Sequence, residues 1–158
     1  MSAPISVLFV CTGNICRSPT AEGVFRDRVS KAYAHDRFLI DSAGTGGWHI
    51  GNPPDPRPTA TALARGVDIS KLRARQLGRE DYDKFQYLIA LDGTHLDFMQ
   101  KQKPESSLSR LSLLMHHART RAGDDVPDPY YGGQQDFERA YDLIEAGIDG
   151  LFEALLKA

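Results

Sequence analysis

Two cysteines in 158 residues cannot supply the disulfide framework of a small secreted protein. In a reducing compartment both stay thiols, so their placement is the first thing to read. Charge of one sign is also lacking. The 19 basic and 21 acidic side chains are mixed along the chain and leave a formal charge of −2. No field gathers nucleic acid, and any anion must be bound locally. There is no apolar run long enough to span a bilayer. Met1 to Val10 lacks a basic region followed by a long apolar stretch and a small-residue cleavage site, so a signal peptide is not expected. A cytoplasmic protein, bound neither to membrane nor to nucleic acid, is therefore expected. The length suits one domain covering 1–158.

What is present is an alternation of strand and helix patterns. Ile5 to Val10 is nearly all apolar and rich in β-branched residues, as in a central strand covered on both faces of a parallel sheet. After Cys11, Ser18-Pro19 offers a helix cap with proline at the first position, and a helix is expected to run to about Ala34. Its stripe is Ala21, Phe25, Val29 and Ala32. Phe38 to Asp41, Tyr87 to Leu91 and Leu111 to Met115 read as further strands. Gly44 to Pro58 reads as an ordered surface loop, and Pro58 to Arg65 as a short helix stopped by Gly66. Gln134 to Leu155 closes the chain as a strongly amphipathic helix. The class is α/β.

In such folds ligands bind beyond the carboxyl ends of the strands, where helix N-termini point unpaired N–H groups outward. Cys11-Thr12-Gly13-Asn14-Ile15-Cys16-Arg17-Ser18 occupies that place between the first strand and the first helix. Small residues at Thr12 and Gly13 let the backbone curl until successive N–H groups face one anion. A helix N-terminus and a neighbouring guanidinium favour the thiolate of a cysteine so placed. Arg17 can grip two phosphoryl oxygens with its planar fork, which a lysine cannot. Ser18 can cap the helix or donate its hydroxyl to the Cys11 sulfur. The chemistry this suggests is displacement at phosphorus by a sulfur nucleophile without a metal.

The string Val10-Cys11-Thr12-Gly13-Asn14-Ile15-Cys16-Arg17-Ser18-Pro19 closely resembles the active-site signature of the low-molecular-weight protein tyrosine phosphatases. The likeness continues through Asp41-Ser42-Ala43-Gly44-Thr45, Trp48-His49-Ile50-Gly51-Asn52-Pro53-Pro54-Asp55, Arg73-Ala74-Arg75-Gln76 and Asp128-Pro129-Tyr130-Tyr131-Gly132, in the family's order. It implies a four-stranded parallel sheet flanked by helices on both faces. It further implies a phosphocysteine intermediate on Cys11, Arg17 as the phosphate clamp, and a nest spanning Thr12, Gly13, Asn14, Ile15, Cys16, Arg17 and Ser18. Asp128 is the implied general acid and base, which composition alone could not pick from 21 acidic residues. Pro129 biases Asp128 away from helical geometry, suiting a loop that projects over the nest.

By the same resemblance Trp48, Tyr130 and Tyr131 wall a pocket for a flat phosphotyrosine ring, with His49 beside them. Asn14 and Ser42 brace the nest. The family's third bracing residue, a histidine, is replaced at what reads as Lys71. Cys16 is implied to protect an oxidised Cys11 by pairing with it. The implied partners are a phosphotyrosine protein as substrate and inorganic phosphate or vanadate as active-site ligands, acting on a monomer with no cofactor and no metal. Arsenate reduction on the same fold needs a relay of distant cysteines, and none follows Cys16. A protein arginine phosphatase carries threonine where Ile15 stands, and the methyl group of Ile15 favours an aryl ester. A phosphate-binding module without catalysis has no use for Cys11 and an acid together.

Overall fold

A computed structural model describes residues 3–120 and 123–157. Its first strand, β1 (Ile5–Cys11), leads through the Cys11 loop into α1 (Arg17–Lys31) and back to β2 (Phe38–Gly44). Then follow α2 (Pro56–Ala64), a single turn α3 (Asp81–Lys84), β3 (Tyr87–Ala90), α4 (Gly93–Gln102), β4 (Arg110–Leu113) and α5 (Gln134–Leu156). The four strands form one parallel sheet in the order β2-β1-β3-β4.

The apolar run in β1 is explained by burial on both sides. Val7, Phe9 and Cys11 point to the face covered by α1 and α5, whereas Leu8 and Val10 point to the face covered by α3 and α4. On the first face Phe25 of α1 meets Phe9, Phe38 and Phe152 with ring centroids 5.3–5.6 Å apart. Truncating such a buried ring costs roughly 3–5 kcal/mol. From β1 the chain crosses over α1 to one side of the sheet, and from β3 it crosses over α4 to the other. The carboxyl ends of β1 and β3 therefore flank a crevice where the winding reverses, and that crevice is a binding place in open α/β sheets.

Several boundaries differ from expectation for local reasons. Helix α1 begins at Arg17, so Pro19 is its third residue, and no side chain caps it. The Ser18 hydroxyl is engaged elsewhere, which leaves the helix N–H groups open toward the loop. The helix stops at Lys31 because Tyr33 turns left-handed at φ +54°, so Ala32 is exposed and Ala34 is buried in its place. Helix α2 starts earlier than expected because Asp55 accepts the backbone N–H of Arg57 and Pro56 opens the first turn. Strand β2 extends to Gly44, and β4 gives way after Leu113 to a 3₁₀ turn over Leu114–His117. Helix α4 has too few apolar residues to show in the sequence. It is set by Asp92, whose carboxylate accepts the N–H groups of Thr94 and His95 while the His95 ring closes the capping box.

Candidate active site

Between β1 and α1 the chain turns through a left-handed residue, Asn14, at φ +57°. Asparagine tolerates that conformation, and here its side chain also holds it. Asn14 Nδ2 donates to Ser18 Oγ at 2.8 Å and to Ser42 Oγ at 3.0 Å, while Oδ1 accepts the backbone N–H of Arg75 at 2.9 Å. Ser42 passes its own proton to Glu22 Oε1 at 2.6 Å, and Arg26 holds the other Glu22 oxygen at 2.8 Å. Burial pushes the Glu22 carboxyl upward, against the Ser42 and Arg26 hydrogen bonds that pull it down. Lys71 is exposed. Among the described residues the brace is made instead by Ser18, Ser42, Glu22 and the Arg75 backbone.

The Cys11 sulfur sits at the floor, 3% exposed. Ser18 Oγ lies 3.0 Å from it. Because Ser18 already accepts from Asn14, its proton is available to the sulfur; the alternative acceptor, Ala43 O, is farther at 3.4 Å. Gly44 at the end of β2 lets this loop lie against the sheet. A Cβ there would stand 2.7 Å from Thr12 O and 3.0 Å from Asn14 N.

Arg17 is buried, with Nη1 donating to Asp92 Oδ2 at 2.6 Å and to Val126 O at 2.9 Å. Its Nη2 stands 3.7 Å from Asp128 Oδ2. Burial alone would lower its pKa, but Cys11, Asp92 and Asp128 more than offset that, so the guanidinium stays charged. Asp92 lies below its ordinary value: burial opposes this, and Thr94, Arg17 and His95 prevail. The remaining cysteine, Cys16, is pushed the other way, since burial and the neighbouring Cys11 hold its thiol protonated.

Above the sulfur opens a cleft of about 260 Å³. Its floor and rear are Cys11, Thr12, Gly13, Ile15, Cys16 and Arg17; its rim is Trp48, His49, Asp128, Tyr130 and Tyr131. Trp48 lies folded over Gly46, where any Cβ would collide with the indole. The loop carrying Trp48 is tied to the nest by Thr45 N–H to Cys11 O and Gly46 N–H to Thr12 O. Across the mouth, half-exposed Asp128 accepts the backbone N–H of Tyr130 at 3.1 Å. Arg57, gripped by Asp55, donates to Tyr130 O at 2.7 Å and stacks on its ring. Tyr130 and Tyr131 meet edge to face at 4.9 Å.

Every cleft residue expected from the sequence thus faces one space, with Asn14, Ser18 and Ser42 behind it. A nest with a thiol at its base, a buried guanidinium and a carboxyl at its mouth is equipped to hold a dianion and protonate what leaves it. Comparison with known proteins gives the family. The model of the family described as low molecular weight phosphotyrosine protein phosphatase matches residues 6–158. The chain belongs to that family. A low molecular weight phosphotyrosine protein phosphatase of Schizosaccharomyces pombe is 44% identical over 142 residues, covering 89% of this chain and 90% of the relative. The low molecular weight protein-tyrosine-phosphatase YfkJ of Bacillus subtilis is 40% identical over 153 residues, covering 97% of each. Among solved structures, a protein tyrosine phosphatase from Entamoeba histolytica with Hepes in its active site superposes with a TM-score of 0.93 at 31% identity, covering 97% of both chains. As a member of this family the protein is a phosphatase.

Sequence reading missed Asp92, His95, Glu22 and the Asp55–Arg57 pair. Asp92 and His95 had a faint signal, because an Asp three residues before a His directly after a strand is a capping pattern at the carboxyl edge of the sheet. Glu22 reads in the sequence as a favourable charge in the first turn of the helix, but α1 begins at Arg17 and has no acidic residue in its first turn, and Glu22 is buried against Ser42. Among the described residues, no three His, Cys, Asp or Glu side chains are grouped so as to hold a metal ion. Among the described residues, too, no helix is long and apolar enough to cross a membrane.

Proposed function

We propose that the protein hydrolyses phosphotyrosine in proteins, and small aryl phosphates, through a phosphocysteine. The Cys11 thiolate attacks phosphorus in line, forming the S–P bond as the P–O bond to the phenol breaks. Asp128 gives its proton to the departing phenolate oxygen. Arg17 and the N–H groups of residues 12–18 take the charge of the equatorial oxygens. In the second half-reaction Asp128, now a carboxylate, accepts a proton from water as that water attacks phosphorus, and the sulfur leaves with Ser18 donating to it. Trp48, Tyr130 and Tyr131 hold the ring between nest and solvent, and the depth between them rejects the shorter phosphoserine. The observation that carries this reading is the Cys11 sulfur, 3.0 Å from a serine hydroxyl, sharing one cleft with Arg17 and Asp128.

The test is steady-state hydrolysis of a series of aryl phosphates, with phosphoserine and phosphoarginine peptides alongside. Cys11→Ser is expected to abolish turnover. Asp128→Ala is expected to slow esters of basic phenols by about 10²–10⁴ and those of acidic phenols far less. Equal slowing across the series would remove Asp128 as the acid, and a faster reaction with phosphoarginine would overturn the substrate. Cys16 is assigned to redox protection: a peroxide oxidises the Cys11 thiolate to a sulfenic acid, and the Cys16 thiol displaces water from it to give a disulfide. After excess hydrogen peroxide, dithiothreitol should restore activity in the wild type and much less of it in Cys16→Ser, where the untrapped sulfenic acid is oxidised on to a sulfinic acid that thiols do not reduce.

A further inference from the structure

One wall of the cleft rests on a histidine that the mechanism above does not use. His95, in the first turn of α4, is 2% exposed and has both ring nitrogens engaged. Nδ1 is 3.2 Å from the backbone nitrogen of Asp92, and Nε2 is 2.8 Å from Oγ1 of Thr12. A backbone N–H can only donate, so Nδ1 accepts and carries no proton. Asp92 Oδ1 lies 3.3 Å from Nδ1, but it already accepts the Thr94 N–H, the Thr94 hydroxyl and the His95 N–H, so it needs no imidazolium. Burial disfavours the charged ring and pulls its pKa down to about 4 despite Asp92. The neutral ring therefore keeps its one proton on Nε2 and donates it to Thr12 Oγ1.

Thr12 is thus supplied with a hydrogen bond from behind and has its own hydroxyl proton to give. Among the described residues no other partner engages Thr12 Oγ1, and the side chain is exposed on the cleft wall with Cys11 and Asp128. The α4 cap requires Nδ1 alone; the Nε2 contact adds nothing to it. We propose that His95 is a positioning residue that turns the Thr12 hydroxyl into the cleft, where it donates to an oxygen of the bound phosphoryl group. This rests on the nest holding that group, as proposed above. A hydroxyl whose proton is already aimed loses no rotational freedom when the anion arrives, which is the advantage of a preorganised donor over a free one. Asp92 then orients two donors at once, Arg17 through its carboxylate and Thr12 through its backbone N–H and the imidazole.

The experiment is competitive inhibition of aryl phosphate hydrolysis by inorganic phosphate in Thr12→Val, Thr12→Ser, His95→Asn and the double variant Thr12→Val/His95→Asn. Asparagine keeps an acceptor for the Asp92 N–H but lacks the reach of Nε2, so it spares the cap while breaking the positioning. Thr12→Val should weaken phosphate about tenfold, the loss of one hydrogen bond to a charged partner, and Thr12→Ser should stay near wild type. His95→Asn should weaken it by a smaller factor, and the double variant should be no worse than Thr12→Val alone. Unchanged inhibition in Thr12→Val, or a His95→Asn effect that adds in full on Thr12→Val, would overturn the proposal. Should His95→Asn fail to fold, the threonine variants decide alone: equal phosphate affinity in Thr12→Val and Thr12→Ser overturns it. Failure of the underlying reading has a different sign, namely turnover that survives in Cys11→Ser.

Discussion

The loop from Cys11 to Ser18 is held from two sides, and the two sides are built differently. On the β2 side, Asn14, Ser42, Glu22 and the Arg75 backbone form a buried chain of hydrogen bonds that fixes the left-handed turn of the loop. On the β3 side, Asp92, Val126 and His95 hold Arg17 and Thr12, whose polar ends line the cleft. One side shapes backbone and the other aims side chains. A loop of successive N–H donors needs both, because its backbone dipoles converge only in one conformation, and its strongest charge sits on a flexible side chain that water would otherwise surround.

This contrast predicts different failures. Arg17→Lys breaks the β3 side at its centre: a single ammonium cannot hold Asp92 and two phosphoryl oxygens together, and kcat should fall by about 10³ with little change in thermal stability. Steady-state kinetics beside a thermal melt would show it, and a loss of stability matching the loss of activity would erase the distinction between the sides. Asn14→Ala breaks the β2 side. It leaves a non-glycine residue at φ +57° without its three hydrogen bonds. Here kcat/KM should fall by about 10² for every ester alike, and stability should fall by about 1–3 kcal/mol. Asn14→Gly, which relieves the backbone and restores no hydrogen bond, should recover part of the stability.

The smallest effect sharpens the comparison through pH. His95 is held neutral in the folded protein with a pKa of about 4, against an ordinary value near 6.5. Between those values the unfolded chain binds the proton and the folded one does not, so stability falls as pH drops through that window. At pH 5 the loss relative to pH 7 amounts to about 2 kcal/mol. Urea unfolding at the two pH values should show that dependence in the wild type and less of it in His95→Asn. Glu22 on the other side has its carboxyl raised by burial, which opposes the trend in both proteins and cancels in their difference.

Much of the site was legible because its chemistry is local. Cys11, Arg17 and the loop between them are contiguous, and the strand before them and helix after them carry plain hydrophobic patterns. Asp128 and the aromatic walls came only through resemblance, since nothing in an Asp-Pro pair or three scattered aromatics says that they face a thiol. Ser18 fits two roles in the sequence, a helix cap or a donor to the sulfur, and only the fold decides between them, by placing its hydroxyl against Asn14 and Cys11. Helix α4 was invisible for a related reason: its signal is the cap formed by Asp92 and His95, not an apolar stripe.

The sequence by itself determined which residues make the strand, loop and helix around Cys11, because the patterns that mark each element are local and repeat at fixed periods. Tertiary structure alone decided the brace and the clamp. Asp92 reaches Arg17 across 75 positions, Arg75 reaches Asn14 across 61, and Thr12 meets His95 across 83. Such pairs exist only once parallel strands align their carboxyl ends, and no spacing along the chain encodes that alignment.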